Sequence, residues 1–383
     1  MDKKLNKDTI ATRAGVESDN QHGAVIPPLY LSSNFAFQEF GKEQQYDYTR
    51  SANPTRDILA SALAELEYGV GAEITSSGMS AISLVANILE LNDSVILPHD
   101  CYGGTHRLFS SLEAKGVLNI RFINQGNKKE LFNTIHDFQP NLIWLESPSN
   151  PLLQAVDIKA ICAEAKLIHA MVAVDNTFLS PALQNPLKLG ADIVVHSTTK
   201  YINGHSDVVG GAVITNNEDT LTKLKFWANN LGITGAPFDS YQTLRGLRTL
   251  SLRMNQHEKN AFALAEVLSN NKKVKTVNYP GLSHHPSHAI AKAQQKGFGG
   301  MLSFELEGGL PAVKKFFKKI KNFTLAESLG GFESLVCHPY TMTHAPLSEG
   351  EKKASGISKG LIRISAGLED IDDLVDGINI ALE

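Results

Sequence analysis

A lysine placed directly after a buried strand and a run of hydroxyl residues can do imine chemistry, and residues 191–201, ADIVVHSTTKY, hold one. The apolar run ends at His196, Ser197, Thr198 and Thr199 follow, and Lys200 comes next. In α/β sheets ligands bind outside the carboxyl ends of the strands, so such a lysine sits in a crevice. Ser197 and Thr199 can donate hydrogen bonds to a phosphate, and Lys200 can condense with an aldehyde. An isolated loop lysine is more often simply solvated. Here the neighbours speak against that, since residues 204–211, GHSDVVGG, form a further glycine-rich turn.

Three more strand ends carry reactive or ligand-binding types. Residues 172–177, VAVDNT, end in Asp175, an anion that can keep a pyridine nitrogen protonated and make the ring an electron sink. Taken alone, Asp175 reads better as a turn or helix cap. Residues 74–80, ITSSGMS, place Gly78 where a ligand needs close backbone approach, with a helix opening at Met79. A helix N-terminus offers unpaired N–H groups and a favourable dipole to a phosphate, although many strand-to-helix turns carry Ser and Gly. Residues 97–104, LPHDCYGG, supply Tyr102, which suits stacking on a planar ring and equally suits a core or an interface. His99 and Cys101 lack the further ligands that a metal site needs. A lysine, an acid, a phosphate cradle and an aromatic face together specify a phosphorylated, planar aldehyde with a pyridine nitrogen. A dinucleotide would require GxGxxG after an early strand, and neither that motif nor a Walker A loop is present.

The elements that position these residues show in the hydrophobic pattern. Short apolar runs at 73–75, 94–97, 119–123, 142–145, 171–174, 192–195 and 212–215 predict seven strands, several buried on both faces. Helical patterns at 79–91 and 158–170 lie between them, and this alternation predicts a mostly parallel α/β sheet. A helix opens at Asn53-Pro54, with Ile58, Leu59, Ala62, Leu63 and Leu66 on one face. Ahead of it, the proline-containing stretch 25–30 reads as extended, and Tyr30, Phe35, Phe37 and Phe40 need something to pack on. A second subunit is a natural candidate. Beyond Trp227 the alternation stops, and 228–250 is mixed. A long helix is predicted over 249–270, then a turn-rich segment, strands at 303–307 and 361–365, and helices at 311–320 and 370–382. The expected division is an arm over 1–60, a cofactor-binding α/β domain over 61–250 and an α+β domain over 251–383.

Bulk properties narrow the class. The 383 residues are 42% hydrophobic and 20% charged, an ordinary globular composition that is long enough for more than one domain. A net charge of −4 gives no electrostatic reason to expect nucleic acid or a membrane surface. The three cysteines, Cys101, Cys162 and Cys337, lack any CxxC spacing, which predicts neither a disulfide framework nor a zinc site and suits a reducing cytoplasm. No apolar run reads as a signal peptide or a membrane span, so a cytoplasmic protein is expected.

The sequence resembles the Cys/Met-metabolism family of fold-type I pyridoxal-phosphate enzymes along nearly its whole length. The resemblance rests on residues 46–56 (YDYTRSANPTR), 77–81 (SGMSA), 99–104 (HDCYGG), 146–151 (ESPSNP), 175–178 (DNTF), 196–211, 327–331 (ESLGG) and 342–345 (MTHA). It implies pyridoxal 5'-phosphate as cofactor, with Lys200 as its covalent anchor, Asp175 as partner of the ring nitrogen and Tyr102 as the stacking ring. It implies Gly78, Met79, Ser197 and Thr199 as phosphate binders, joined by Tyr48 and Arg50 from a neighbouring subunit. That arrangement implies a homotetramer built from dimers with shared sites. Asn150, Ser328 and Arg363 match positions that hold a substrate α-carboxylate, a task for which an arginine fork is suited. Within the family, Glu327, Asp47, Arg107 and the stretches 227–232 and 238–241 resemble the bacterial synthase branch, which transfers the homoserine carbon skeleton onto a thiol for methionine biosynthesis. Ser51 departs from that pattern, where an arginine is common, and leaves the acyl group of the homoserine ester open.

Overall fold

The computed structural model describes residues 5–345 and 347–383. Seven strands form the first sheet: β1 (Gly71–Thr75), β2 (Ser94–Pro98), β3 (Asn119–Ile123), β4 (Leu142–Glu146), β5 (Met171–Asp175), β6 (Ile193–His196) and β7 (Gly211–Thr215). Their order is β1-β7-β6-β5-β4-β2-β3, and only β7 runs against the others. The mostly parallel seven-stranded sheet expected from the hydrophobic runs is therefore present, each strand within about two residues of its predicted span.

Burial on both faces explains the nearly unbroken apolar runs. Leu142 and Trp144 of β4 join one core cluster with Ala173 and Val195, while Ile143 and Leu145 face the opposite cluster with Val172 and Val174. Each buried leucine, isoleucine or valine here contributes roughly 1.5–3 kcal/mol when removed from water. The edge strand β3 breaks the pattern, because Asn119 and Arg121 are exposed there, and a charged edge discourages pairing with another sheet.

A second, smaller sheet contains β8 (Val274–Asn278), β9 (Met301–Leu306), β10 (Thr324–Leu325), β11 (Leu335–Cys337) and β12 (Leu361–Ser365) in the order β10-β11-β12-β9-β8. The sequence pattern revealed β9 and β12. It missed β8, whose Lys275 and Thr276 are exposed, and the two- and three-residue strands β10 and β11, too short to show a period. The mixed stretch 228–250 resolves into the end of one helix, Glu218–Leu231, and another, Pro237–Leu247. Gly232 in the left-handed conformation caps the first, and Pro237 opens the second. The glycine and proline that obscured the pattern are its punctuation.

Helix Pro54–Glu67 begins as expected, with the Asn53 side chain accepting from Thr55 N and Arg56 N. Its inner face packs Leu59, Leu63 and Leu66 into a cluster with Tyr201, Ile202, Leu244, Met254, Met301 and Leu329, where the two sheets meet. The preceding segment folds back on itself through Phe35 N to Asp47 O at 2.8 Å and Thr49 N to Ser33 O at 2.8 Å. It leaves Val25, Ile26, Tyr30, Leu31, Phe37 and Phe40 exposed.

Candidate active site

The carboxyl ends of β1, β2, β4, β5 and β6 converge on a cleft of about 670 Å³, closed on its far side by Glu327–Leu329, Met342, Thr343 and Arg363 of the smaller sheet region. Twelve of the fifteen residues singled out from sequence line it: Gly78, Met79, Tyr102, Arg107, Asn150, Asp175, Ser197, Thr199, Lys200, Glu327, Ser328 and Arg363.

Lys200 is carried by a tight turn after β6, braced by Asn203 N to Thr198 O at 2.9 Å and Gly204 N to Lys200 O at 2.8 Å. Its Nζ donates to Ser328 Oγ at 2.6 Å. Burial lowers the amine to about 8, reinforced by the Arg363 cation and opposed by Glu327. A lysine so perturbed can act as nucleophile or base near neutral pH. Thr199 Oγ1 is engaged with the backbone, donating to Gly210 O at 3.2 Å.

Across the turn, helix Gly78–Asn87 opens with Ser77 as its cap, Ser77 Oγ accepting from Ser80 N at 3.0 Å. A Cβ on Gly78 would lie 2.7 Å from Ser197 Cβ, so only glycine brings this N-terminus against the Lys200 turn. Gly104 does the same for Met79 and Tyr102: its Cβ would stand 2.4 Å from Met79 Sδ and 2.5 Å from Tyr102 Cε1. Tyr102 follows β2 at the cleft wall with its ring half exposed.

Asp175 ends β5. Its Oδ1 accepts from Thr177 N at 2.9 Å, and Thr177 Oγ1 accepts from Ser197 N at 2.9 Å, tying the ends of β5 and β6 together. Burial raises the Asp175 carboxyl, with Thr177 and then His196 opposing. Beside it in register lies Glu146, the last residue of β4. Glu146 Oε2 accepts from Tyr102 N at 2.8 Å, and burial followed by the Asp175 charge raises it to about 8. Thr177 and Glu146 were not assigned roles from sequence. A charged residue closing the otherwise apolar run LIWLE, at the same sheet edge as Asp175, was the available signal for Glu146.

On the opposite wall, Arg363 occupies the middle of β12 and is almost fully buried. Nη1 donates to Asn150 Oδ1 at 3.0 Å and Nη2 to Ser328 O at 2.9 Å. Ser328 has φ +81°, an uncommon conformation for a residue with a side chain, which aims its hydroxyl at Lys200 while its carbonyl faces Arg363. Arg363 thereby joins the two sheets and retains N–H donors for a carboxylate.

Three residues lie elsewhere. Asp47, Tyr48 and Arg50 sit on the folded-back segment before helix Pro54–Glu67, outside this cleft. Arg50 Nη1 donates to Asn229 O at 3.0 Å, and its guanidinium stands 5.4 Å from the Tyr48 ring. Tyr48 is exposed.

The donor set fits pyridoxal phosphate: an amine of lowered basicity for the aldehyde, a half-buried acid for the ring nitrogen, an aromatic face and a helix N-terminus for the phosphate. The comparisons agree. Residues 8–383 match the family model described as Cys/Met metabolism PLP-dependent enzyme. The chain is 52% identical over 368 residues to cystathionine gamma-synthase of Escherichia coli (strain K12), covering 96% of this chain and 95% of that one. It is 45% identical over 376 residues to cystathionine gamma-lyase of Dictyostelium discoideum, covering 98% and 97%. The crystal structure of cystathionine gamma synthase from Xanthomonas oryzae pv. oryzae in complex with cystathionine superposes with a TM-score of 0.98 at 52% identity, covering 99% of this chain and 98% of that one. The chain belongs to the Cys/Met-metabolism family of enzymes that use pyridoxal phosphate as cofactor.

Proposed function

We propose that this enzyme is a cystathionine γ-synthase, a transferase that joins the thiol of L-cysteine to the γ-carbon of an O-acyl-L-homoserine in methionine biosynthesis. The acyl group is succinyl, and the products are cystathionine and the free acid. The carrying observation is the set of groups that share one cleft with Lys200: Arg363, hydrogen-bonded to the Asn150 amide, together with the charged side chains of Glu327 and Arg107. Two amino acids must meet there, and the ester brings a second carboxylate. Arg363 suits the α-carboxylate of the bound substrate, Glu327 the amino group of the incoming cysteine, and Arg107, which forms no ion pair among the described residues, the succinyl carboxylate. Asp47 reaches the same cleft from a neighbouring subunit. The greater identity to the E. coli synthase than to the Dictyostelium lyase supports the same reading.

Pyridoxal phosphate, when bound, supplies the electron sink that lets protons leave the α- and β-carbons and a carboxylate leave the γ-carbon. The residues of the chain do the rest. Lys200 would anchor the cofactor and, once displaced by the substrate's amino group, would take the α-proton as a neutral amine; its Nζ is hydrogen-bonded to Ser328 Oγ. Asp175 would keep the ring nitrogen protonated, and Tyr102 would offer its ring as a stacking face and its phenol for proton transfer. Gly78, Met79 and Ser197 would hold the phosphate, Thr199 would join them by turning its hydroxyl from Gly210 O, and Tyr48 and Arg50 would complete the site from the neighbouring subunit of a homotetramer. The exposed apolar side chains on the segment that carries Tyr48 and Arg50 support such an interface. The expected site of action is the cytoplasm.

The same machinery can cleave cystathionine, and the 45% identity to a γ-lyase keeps a lyase as the second reading. Purified enzyme is to be assayed for cystathionine formed from cysteine with O-succinyl- or O-acetylhomoserine, and for 2-oxo acid released from cystathionine. Synthesis from the succinyl ester should exceed both other rates about tenfold or more. Faster cleavage of cystathionine than synthesis from either ester would replace the synthase reading with the lyase one.

A further inference from the structure

The turn that carries Lys200 is held from behind by a buried arginine. Arg253, on helix Leu250–Ser269, is 6% exposed. Its Nη1 donates to Tyr201 O at 2.7 Å, its Nη2 to Gly246 O at 2.7 Å and Ile202 O at 3.3 Å, and its Nε to Thr249 Oγ1 at 3.1 Å. Every acceptor is neutral, and no carboxylate pairs with this cation among the described residues. A charge is costly to bury without an anion, so a side chain needed only to fill space would be apolar. What arginine adds is a rigid fork that grips two successive carbonyls, here those of the two residues following Lys200.

The backbone is shaped to that grip. Gly204 has φ +71°, and a Cβ there would stand 2.0 Å from Arg253 Nη1. A Cβ on Gly246 would stand 2.0 Å from Asn203 O, and one on Gly330 2.8 Å from Tyr201 N. The Lys200 turn is thus pressed between the helix layer and the Ser328–Gly330 loop.

The same helix stripe holds the other wall of the cleft. One turn on, His257 Nδ1 lies 2.7 Å from Ala366 O, and its ring meets Tyr201 edge-on at 5.1 Å. Asn260 Nδ2 donates to Gly367 O at 3.0 Å and Glu369 O at 2.9 Å. Residues 253, 257 and 260 share one face of a helix. They clamp the turn that bears Lys200 and the chain just beyond β12, which bears Arg363.

We propose that Arg253 is a positioning residue that fixes Lys200 relative to Ser328 and Arg363. This inference rests on Lys200 as the cofactor lysine, not on the choice of substrate.

The test compares the cofactor-loaded wild type with R253M and R253K. Measured are kcat, KM for the homoserine ester, melting temperature, and the pH midpoint of the long-wavelength absorption of the bound cofactor. R253M should lower kcat per loaded site about tenfold or more with KM within about threefold, and move the absorption midpoint by half a pH unit or more. R253K, which keeps the charge without the fork, should lie between. If R253M fails to accumulate, R253K decides alone: a lowered kcat per loaded site with a shifted midpoint supports the inference. Unchanged kcat per loaded site and an unchanged midpoint would overturn the inference, as would a loss that merely follows the folded, loaded fraction. Reducing the wild type with borohydride and mapping the modified peptide separates the premise from the inference. Modification away from Lys200 would refute the site reading itself.

Discussion

The Lys200 amine lies between a cation and an anion, and burial outweighs both. Arg363 disfavours its proton, Glu327 favours it, and desolvation brings it to about 8. At pH 7 about one such amine in ten is neutral, against about one in three thousand at the ordinary value of 10.5. Only the neutral amine attacks an aldehyde, so covalent uptake of pyridoxal phosphate by the apo-protein should quicken as pH rises. Stopped-flow absorbance should show about a tenfold increase between pH 7 and 9, with a midpoint near 8. A rate still climbing steeply beyond pH 10 would mean the lysine is not perturbed. In the same cleft, Glu327→Ala should raise KM for cysteine about tenfold or more, the size of one charged hydrogen bond, while KM for the ester and the melting temperature change little. A purely structural acid before the Leu329–Gly331 turn would affect both substrates and stability alike. Lys200 and Asp175 could be singled out in the sequence because each is a reactive type at the end of an apolar run. Glu146 closes the run LIWLE in the same way, but its role, like that of Thr177, shows only in the fold. Their part is to accept backbone N–H groups from Ser197 and Tyr102, contacts between residues far apart in the chain.

Strands and helices bring the chemistry together by ending at a common edge. β1, β2, β4, β5 and β6 are parallel, so the residues after each face the same cleft. The period of the apolar residues marks such strands because burial on both faces leaves no polar interruption. It fails for β8, which is half solvent-exposed, and for β10 and β11, which are set by pairing in the smaller sheet rather than by local pattern. The close approach of Gly78 to Ser197 is likewise a property of two elements. Gly78→Val should push the helix N-terminus away from the Lys200 turn and weaken cofactor binding about tenfold or more. Fluorescence titration of the apo-protein would measure this, and an unchanged Kd would show that Gly78 does not shape the phosphate site.

The whole molecule places its proposed cofactor residues in two locations. Lys200 lies in the cleft, while Tyr48 and Arg50 stand outside it on a segment with exposed apolar side chains. If neighbouring subunits complete one another's sites, inactive Arg50→Ala and Lys200→Ala enzymes should regain activity when their subunits exchange. Of the two sites in a mixed dimer, one carries both defects and the other neither, so fully mixed dimers should approach half the wild-type activity. No recovery despite exchange proven by mass spectrometry would count against a shared site. Tyr30, Phe35, Phe37 and Phe40 hinted at this surface in the sequence, because an extended apolar segment without its own core needs a partner. The join between the two sheets was not legible there: the Arg363–Ser328–Lys200 contacts link residues of the larger sheet region to the smaller one. All of this turns on which amine carries the cofactor. Borohydride reduction of the yellow holoenzyme, followed by digestion and mass mapping, should find one pyridoxyl group per chain on the peptide containing Lys200. A pyridoxyl group on any other lysine, or none at all, would contradict the account.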